Sequence, residues 1–243
     1  MIENEEIQVG DVKFNMIHVE GGTFLMGAQR ENKDGDNYDA DAWNVESPVH
    51  KVTLRDYYIG ETPVTQELWR AVMRKNPSHF KGAKKPVETV SWEDCQNFIR
   101  KLNLKTRLKF RLPTEAEWEF AARGGVNSKG YKYSGSNNID EVSWYWHFVI
   151  LNNKTHPVKQ KKPNELGVYD MTGNVWEWCQ DWYGDYKEGL QVNPTGPISG
   201  SYRVYRGGGF NAGAWYCRLS YRSRSYPDFR YDYLGLRLVL SVG

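Results

Sequence analysis

Asn164–Trp178, NELGVYDMTGNVWEW, is the stretch on which the reading of the fold turns. Gly173 suits a tight turn, because glycine enters left-handed backbone without a Cβ penalty. Beyond it the chain reads as strand, and the period of two puts Trp176 and Trp178 on one buried face. Two carboxylates, Asp170 and Glu177, flank the turn. Either they cap turns and pair with arginine, as carboxylates near turns commonly do, or they serve a hard cation.

Working outward, 243 residues make one large domain or two small ones, with enough chain to bury a substantial core. A net charge of +2 gives no electrostatic ground for a nucleic-acid partner. No apolar run is long enough to span a membrane, so no insertion by this chain is expected. Its opening, MIENEEIQVGDVKF, is polar and acidic and does not read as a signal peptide. Cys95, Cys179 and Cys217 are far apart and odd in number, which argues against a disulfide framework or a structural zinc site. The five histidines form no metal-binding pair. Ten Trp and 23 Gly, with few long amphipathic stretches, point to short strands and structured loops.

Met16–Gln29, MIHVEGGTFLMGAQ, alternates around Gly21–Gly22 and is predicted to be a hairpin. An acidic loop follows, and HKVTLRDYYIGETPVT returns to strand character. Helices are predicted from Thr65, from Ser91 with Asp94 three places on, and from Thr114 to a stop at Gly124. The remainder reads as loops and short strands, YKYSGSN among them. With no repeat and no linker, the prediction is a single α+β domain over 1–243, its termini sharing a sheet.

Seven stretches in this order, VEGGTFLMG, ETPVTQELW, PVETVSW, RLPTEAEWEFAARGG, NELGVYDMTGNVWEW, RVYRGGGF and LGLRLV, resemble the formylglycine-generating enzyme (sulfatase-modifying factor) family from about Met16 to Leu240. The resemblance implies an elaborated C-type-lectin-type fold with much irregular structure. It also implies a calcium site built from the side chains of Asp170 and Glu177 and the backbone carbonyls of Gly173 and Val175. A second family calcium site, after Asn138 and Ile139, lacks the acidic loop it would need. The enzymes of the family use two cysteines five positions apart, and soft thiolates at that spacing can hold Cu(I). Aligned on the glycines of GGGFNAGAWYC, the second falls on Cys217 and the first on Ala212. One thiolate cannot make the two-sulfur site, so no catalytic residue is assigned, and Cys217 reads as a small buried hydrophobe.

Phe210–Tyr233, FNAGAWYCRLSYRSRSYPDFRYDY, is unlike a core and unlike a disordered tail. Tyr, Ser and Arg alternating are the chemistry of a binding surface; the alternative is a solvated loop with cation–π pairs. Within the same fold group the segment resembles the variable proteins of diversity-generating retroelements, of the Treponema type. In these, adenines of the gene's 3′ end are randomised. Arg206, Gly207, Gly208, Cys217, Arg218, Arg222, Pro227, Gly235 and Arg237 match the fixed positions of that pattern. Gly209, Phe210 and Leu236 depart from it. Randomising both adenines of an asparagine codon cannot yield Lys, Glu, Gln or Met, and none of these occurs after Gln191. The resemblance thus marks 206–237 as the variable ligand-binding region. Its candidate positions are Asn211, Ala212, Gly213, Tyr216, Tyr221, Ser223, Ser225, Tyr226, Phe229, Tyr231, Asp232 and Tyr233, with side chains directed outward. Trp215, not reachable from such a codon, is expected to be scaffold. The function this implies is non-catalytic binding of a variable protein or other surface ligand. It further implies display at the cell surface through a leader or lipid anchor not seen in this chain; without one the chain stays cytoplasmic. An oxidase of the formylglycine class and a relative with one fixed partner are the alternatives.

Overall fold

The computed structural model describes residues 4–147 and 153–242. In chain order its strands and helices are β1 (Glu5–Val9), β2 (Val12–Val19), β3 (Gly22–Met26), β4 (His50–Leu54), β5 (Tyr57–Gly60), α1 (Gln66–Met73), α2 (Trp92–Thr106), β6 (Phe110–Arg111), α3 (Glu115–Ala122), α4 (Ile139–Val142), β7 (Trp176–Trp182), β8 (Gln191–Val192), β9 (Arg203–Arg206), β10 (Arg222–Ser225), β11 (Leu234–Leu236) and β12 (Val239–Ser241). Few helices, short strands and long irregular stretches make this an α+β fold, in keeping with the C-type-lectin-type fold that the resemblance implies. Among the described residues no helix is long and apolar enough to cross a membrane.

The helices start where side chains can satisfy the open N–H groups of a first turn. Thr65 Oγ1 accepts from the Leu68 amide. Ser91 with Asp94, and Thr114 with Glu117, form reciprocal capping boxes at α2 and α3. Buried Cys95, Phe98, Ile99 and Leu102 form one stripe of α2, whereas every residue of α3 is buried. Helix α3 therefore lies in the middle of the molecule, and its three glutamates need partners there.

Three sheets share the chain: β1-β2-β5-β12-β6, β10-β9-β7-β11 and β3-β4-β8. Alternation along the five-stranded sheet feeds two cores. Met16, Tyr58 and Leu240 enter one; Ile17, Ile59 and Val239 enter the other. β1 and β12 lie in that sheet as expected, but with β2 and β5 between them.

The hairpin predicted at Met16–Gln29 does not form. β2 pairs with β1 and β5, while β3 pairs with β4, so Gly21–Gly22 is a crossing between sheets. A Cβ on Gly21 would meet the Arg55 carbonyl carbon at 2.7 Å, so this close passage of two backbones needs glycine. The YKYSGSN stretch carries only an isolated bridge between Tyr133 and Ser136. In the GNVWEW strand, Trp176 and Trp178 are buried as read, but Glu177 between them is buried too, so neither face of β7 is wet.

Candidate functional site: the C-terminal aromatic face

The four-stranded sheet organises the segment 206–237. β9 lies between β7 and β10, with Arg206 opposite Glu177 on one side and Arg222 on the other. Tyr205 is likewise flanked by Trp178 and Ser223. One row of side chains therefore turns to α3 and the next to the aromatic face.

The arginine row is the scaffold. Arg206, Arg218, Arg222 and Arg237 are only 0%, 1%, 3% and 0% exposed, and each meets a buried carboxylate from elsewhere in the chain. Arg206 pairs with Glu119, donates to Glu115 Oε1 at 3.1 Å and reaches the Leu219 and Ser220 carbonyls. Arg222 grips Glu115 with two hydrogen bonds of 2.8 and 2.6 Å. Arg218 does the same to Glu46 at 2.8 and 2.6 Å and touches Asp39 at 3.2 Å, which ties the acidic loop to the segment. Burial opposes charge on Arg206, but Tyr186, Glu119 and Glu115 outweigh it and raise its pKa. Burial pushes Glu119 up, and Arg123 and Arg206 outweigh that and hold it low. These are two-ended, low-dielectric ion pairs, the kind that is costly to halve.

The glycines before the segment have a steric reason. Gly208 has φ +74°, and a Cβ there would collide with the Cys217 sulfur. Cys217 is buried, and burial pushes its thiol up to about 12. Such a thiol is protonated at neutral pH and unreactive. Its neighbour at the family's other cysteine position, Ala212, is buried 3.9 Å from it through the Ala212 carbonyl.

The aromatic row consists of two groups of rings in contact. At one end Trp215, Tyr216, Tyr221 and Trp43 stand with ring centroids 5.0–6.2 Å apart. At the other end Tyr202, Tyr226, Phe229, Tyr231 and Tyr233 follow one another at 4.5–6.1 Å. Trp176 links Tyr221 to Tyr205 in the middle. Burial first, then Tyr216 and Tyr205, raise the Tyr221 hydroxyl, and Tyr233 is raised by burial and then Tyr205. These phenols stay neutral hydrogen-bonding groups.

The twelve candidate positions do not behave alike. Asn211, Tyr226 and Phe229 are exposed. Tyr216, Tyr221, Ser223, Tyr231, Asp232 and Tyr233 are half-buried, and the four tyrosines pack their bodies on the core. Ala212, Gly213 and Ser225 are buried, so the expectation that all twelve side chains point outward is corrected for these three. Ala212 lies under the 3₁₀ turn Ala214–Cys217, its carbonyl accepting from the Trp146 amide, and Ser225 Oγ is 3.4 Å from the Tyr231 hydroxyl. Trp215, read as scaffold, is 48% exposed and belongs to the surface. Trp43, 47% exposed, was not singled out at all. It sits in a polar loop whose fold depends on Arg218, and no local signal marks it.

The proposed calcium ligands are also in place but committed elsewhere. Glu177 Oε1 accepts from Arg237 Nε and Nη2 at 3.2 and 2.8 Å, and Oε2 from Arg237 Nε and Trp118 Nε1 at 3.0 and 2.7 Å. That fills the four lone-pair directions of a carboxylate. Asp170 accepts from the Lys159 amide at 2.9 Å and from the Asn174 side chain at 3.3 Å. Gly173 and Val175 are buried at the same turn. Among the described residues no group of three or more His, Cys, Asp or Glu could hold a metal. As arranged, these side chains do not fit calcium, because the Arg237 guanidinium already supplies the positive charge a cation would bring.

The comparisons agree with this geometry. Residues 7–242 match the sulfatase-modifying factor enzyme 1-like domain. Over 76% of its length the chain is 38% identical to the chaperone protein LppX of Paenibacillus barcinonensis, of which 78% is covered. Over 91% of its length it is 31% identical to the formylglycine-generating enzyme of Streptomyces coelicolor, of which 87% is covered. The solved structure of Treponema denticola variable protein 1 is similar over all of both chains, with a TM-score of 0.88 and 34% identity. The chain therefore belongs to the sulfatase-modifying factor, or formylglycine-generating enzyme, family, with a fold of the variable-protein type.

Proposed function

We propose that the chain is a non-catalytic ligand-binding protein of the cell surface, whose segment 206–237 is diversified by a retroelement to change its partner. The observation that carries this reading is the division of labour inside the segment. The arginines at the fixed positions of the pattern are buried and paired; most of the candidate variable positions are exposed or half-buried. Burying Tyr226, Phe229 and the edges of Tyr216, Tyr221, Tyr231 and Tyr233 against a protein or other surface ligand removes apolar area from water, at roughly 25 cal/mol per Å². The ring contacts hold these side chains in place before binding, which lowers the ordering cost. Similarity to a variable protein supports the reading. Against oxidase chemistry stand Ala212 at the first cysteine position and the protonated, buried Cys217.

The test is the DNA around the gene. The expected finding is a near-identical repeat beside a reverse transcriptase gene, differing from the coding copy only at adenines, with clones varying at the surface codons. Absence of the repeat and invariant codons would sink the diversification reading. A relative with one fixed partner, the alternative favoured by 38% identity to a chaperone protein, would then lead.

A further inference from the structure

A cavity of about 500 Å³ lies away from the aromatic band, between the end of β7, the start of α3 and the loop before β9. Its walls include apolar Met26, Trp182, Pro194 and Pro197 together with the carboxyl of Asp181. Asp181 is 4% exposed. Its Oδ2 accepts from the Glu115 amide at 3.0 Å, capping α3. Its Oδ1 accepts nothing from the described residues and is not sealed away from solvent, which leaves it as the atom open to the cavity. Gly196, another wall residue, keeps that approach clear: with φ +73°, a Cβ there would stand 3.2 Å from Oδ1.

Among the described residues no cation forms an ion pair with this carboxyl, although Lys187 is an exposed wall residue of the same cavity. Arg222 is held by both oxygens of Glu115. Arg203 donates to the Gln180 carbonyl and lies over the Trp92 and Trp182 rings. Charged and polar side chains share the cavity wall with the apolar ones, and a buried acid with an open oxygen there can still take a partner from outside.

We propose that this cavity binds a small organic ammonium ion, a primary amine carrying one apolar group, whose –NH₃⁺ pairs with Asp181 Oδ1 and whose body packs on Met26, Trp182 and Pro197. Burial and the charge of Glu115 push the Asp181 carboxyl up to about 8, the condition of an acid lacking its counter-ion. The site shares Glu115 and Arg222 with the scaffold of the aromatic face but none of that face's exposed side chains.

Calorimetric titration of the full chain with 2-phenylethylamine, 2-phenylethanol and phenylacetate tests this, the three sharing a phenyl body and carrying a cationic, a neutral and an anionic head group. The amine is expected to bind at least about tenfold more tightly than the alcohol, and phenylacetate not to bind. Asp181→Asn keeps an acceptor for the Glu115 amide and is expected to erase the preference for the amine. Thr195→Trp, at an exposed wall residue, is expected to weaken amine and alcohol alike. Equal affinity for amine and alcohol, an undiminished preference in Asp181→Asn, amine binding untouched by Thr195→Trp, or no amine binding at millimolar concentration would each overturn the proposal.

Discussion

Arg222 and Tyr226 are four residues apart in one short run of chain, yet one is 3% and the other 44% exposed. The same contrast runs through the whole segment. Arg206, Arg218, Arg222 and Arg237 reach inward to Glu119, Glu46, Glu115 and Glu177; Tyr226 and Phe229 are exposed, and Tyr216, Tyr221, Tyr231 and Tyr233 rest on the core with their edges outward. Inverting the usual pattern, with charges inside and aromatics outside, lets a surface be rewritten without unfolding what carries it. Buried ion pairs are directional and fix the backbone, whereas a row of exposed rings is tolerant of exchange.

The contrast breaks most sharply at an arginine. Arg218→Met leaves buried Glu46 without its cation and is expected to cost about 3–5 kcal/mol in denaturant unfolding. Adding Glu46→Leu is expected to recover part of that loss, since a buried pair replaced whole is far cheaper than one halved.

Of comparable size is a pH effect beside the arginine cluster. Asp181 binds its proton more tightly folded than unfolded, its carboxyl being pushed from 3.8 to about 8 by burial and Glu115. Its contribution to stability is therefore full below about pH 4 and is lost as pH rises towards 8. Within that window the folding constant falls by up to about tenfold per pH unit on this account. Asp181→Asn is expected to flatten the fall, and unchanged pH dependence in the variant would contradict it.

On the aromatic side the effects shrink. Tyr226→Ala and Phe229→Ala are expected to change stability by no more than about 0.5 kcal/mol. Binding to a partner of this face, measured by titration, is expected to fall by more than about 1 kcal/mol at a central ring. Unfolding of either variant would show that the rings are scaffold. Smallest is calcium: millimolar Ca²⁺ is expected to leave Tm unchanged. Saturation of a native site at about a hundred times its Kd would instead add about 2.7 kcal/mol.

What the sequence disclosed follows from how local each signal is. Ser91 with Asp94, and Thr114 with Glu117, sit within one turn, so α2 and α3 were readable with their caps. Trp176 and Trp178 were readable from the strand period. Gly21–Gly22 looked like a hairpin because nothing nearby reveals that Gly22 pairs with Leu54. The sequence leaves Glu177 open between an arginine and a hard cation, because its partner Arg237 lies sixty positions on. The aromatic positions were legible as a set through the codon pattern. Ala212, Gly213 and Ser225 share the pattern and yet are buried, since a codon records what can change and burial depends on the turn that follows. Trp43 joined the band only through the Arg218–Glu46 tie, a contact 172 residues long in sequence.

The most direct test of this division of labour is a folding selection on a library in which each residue of 206–237 is randomised in turn. Substitutions at Arg206, Arg218, Arg222 and Arg237 are expected to be depleted, and those at Asn211, Ser223, Tyr226 and Phe229 to pass at the wild-type rate. Equal depletion along the whole segment would contradict the claim that one stretch of chain carries a fixed scaffold and a replaceable face.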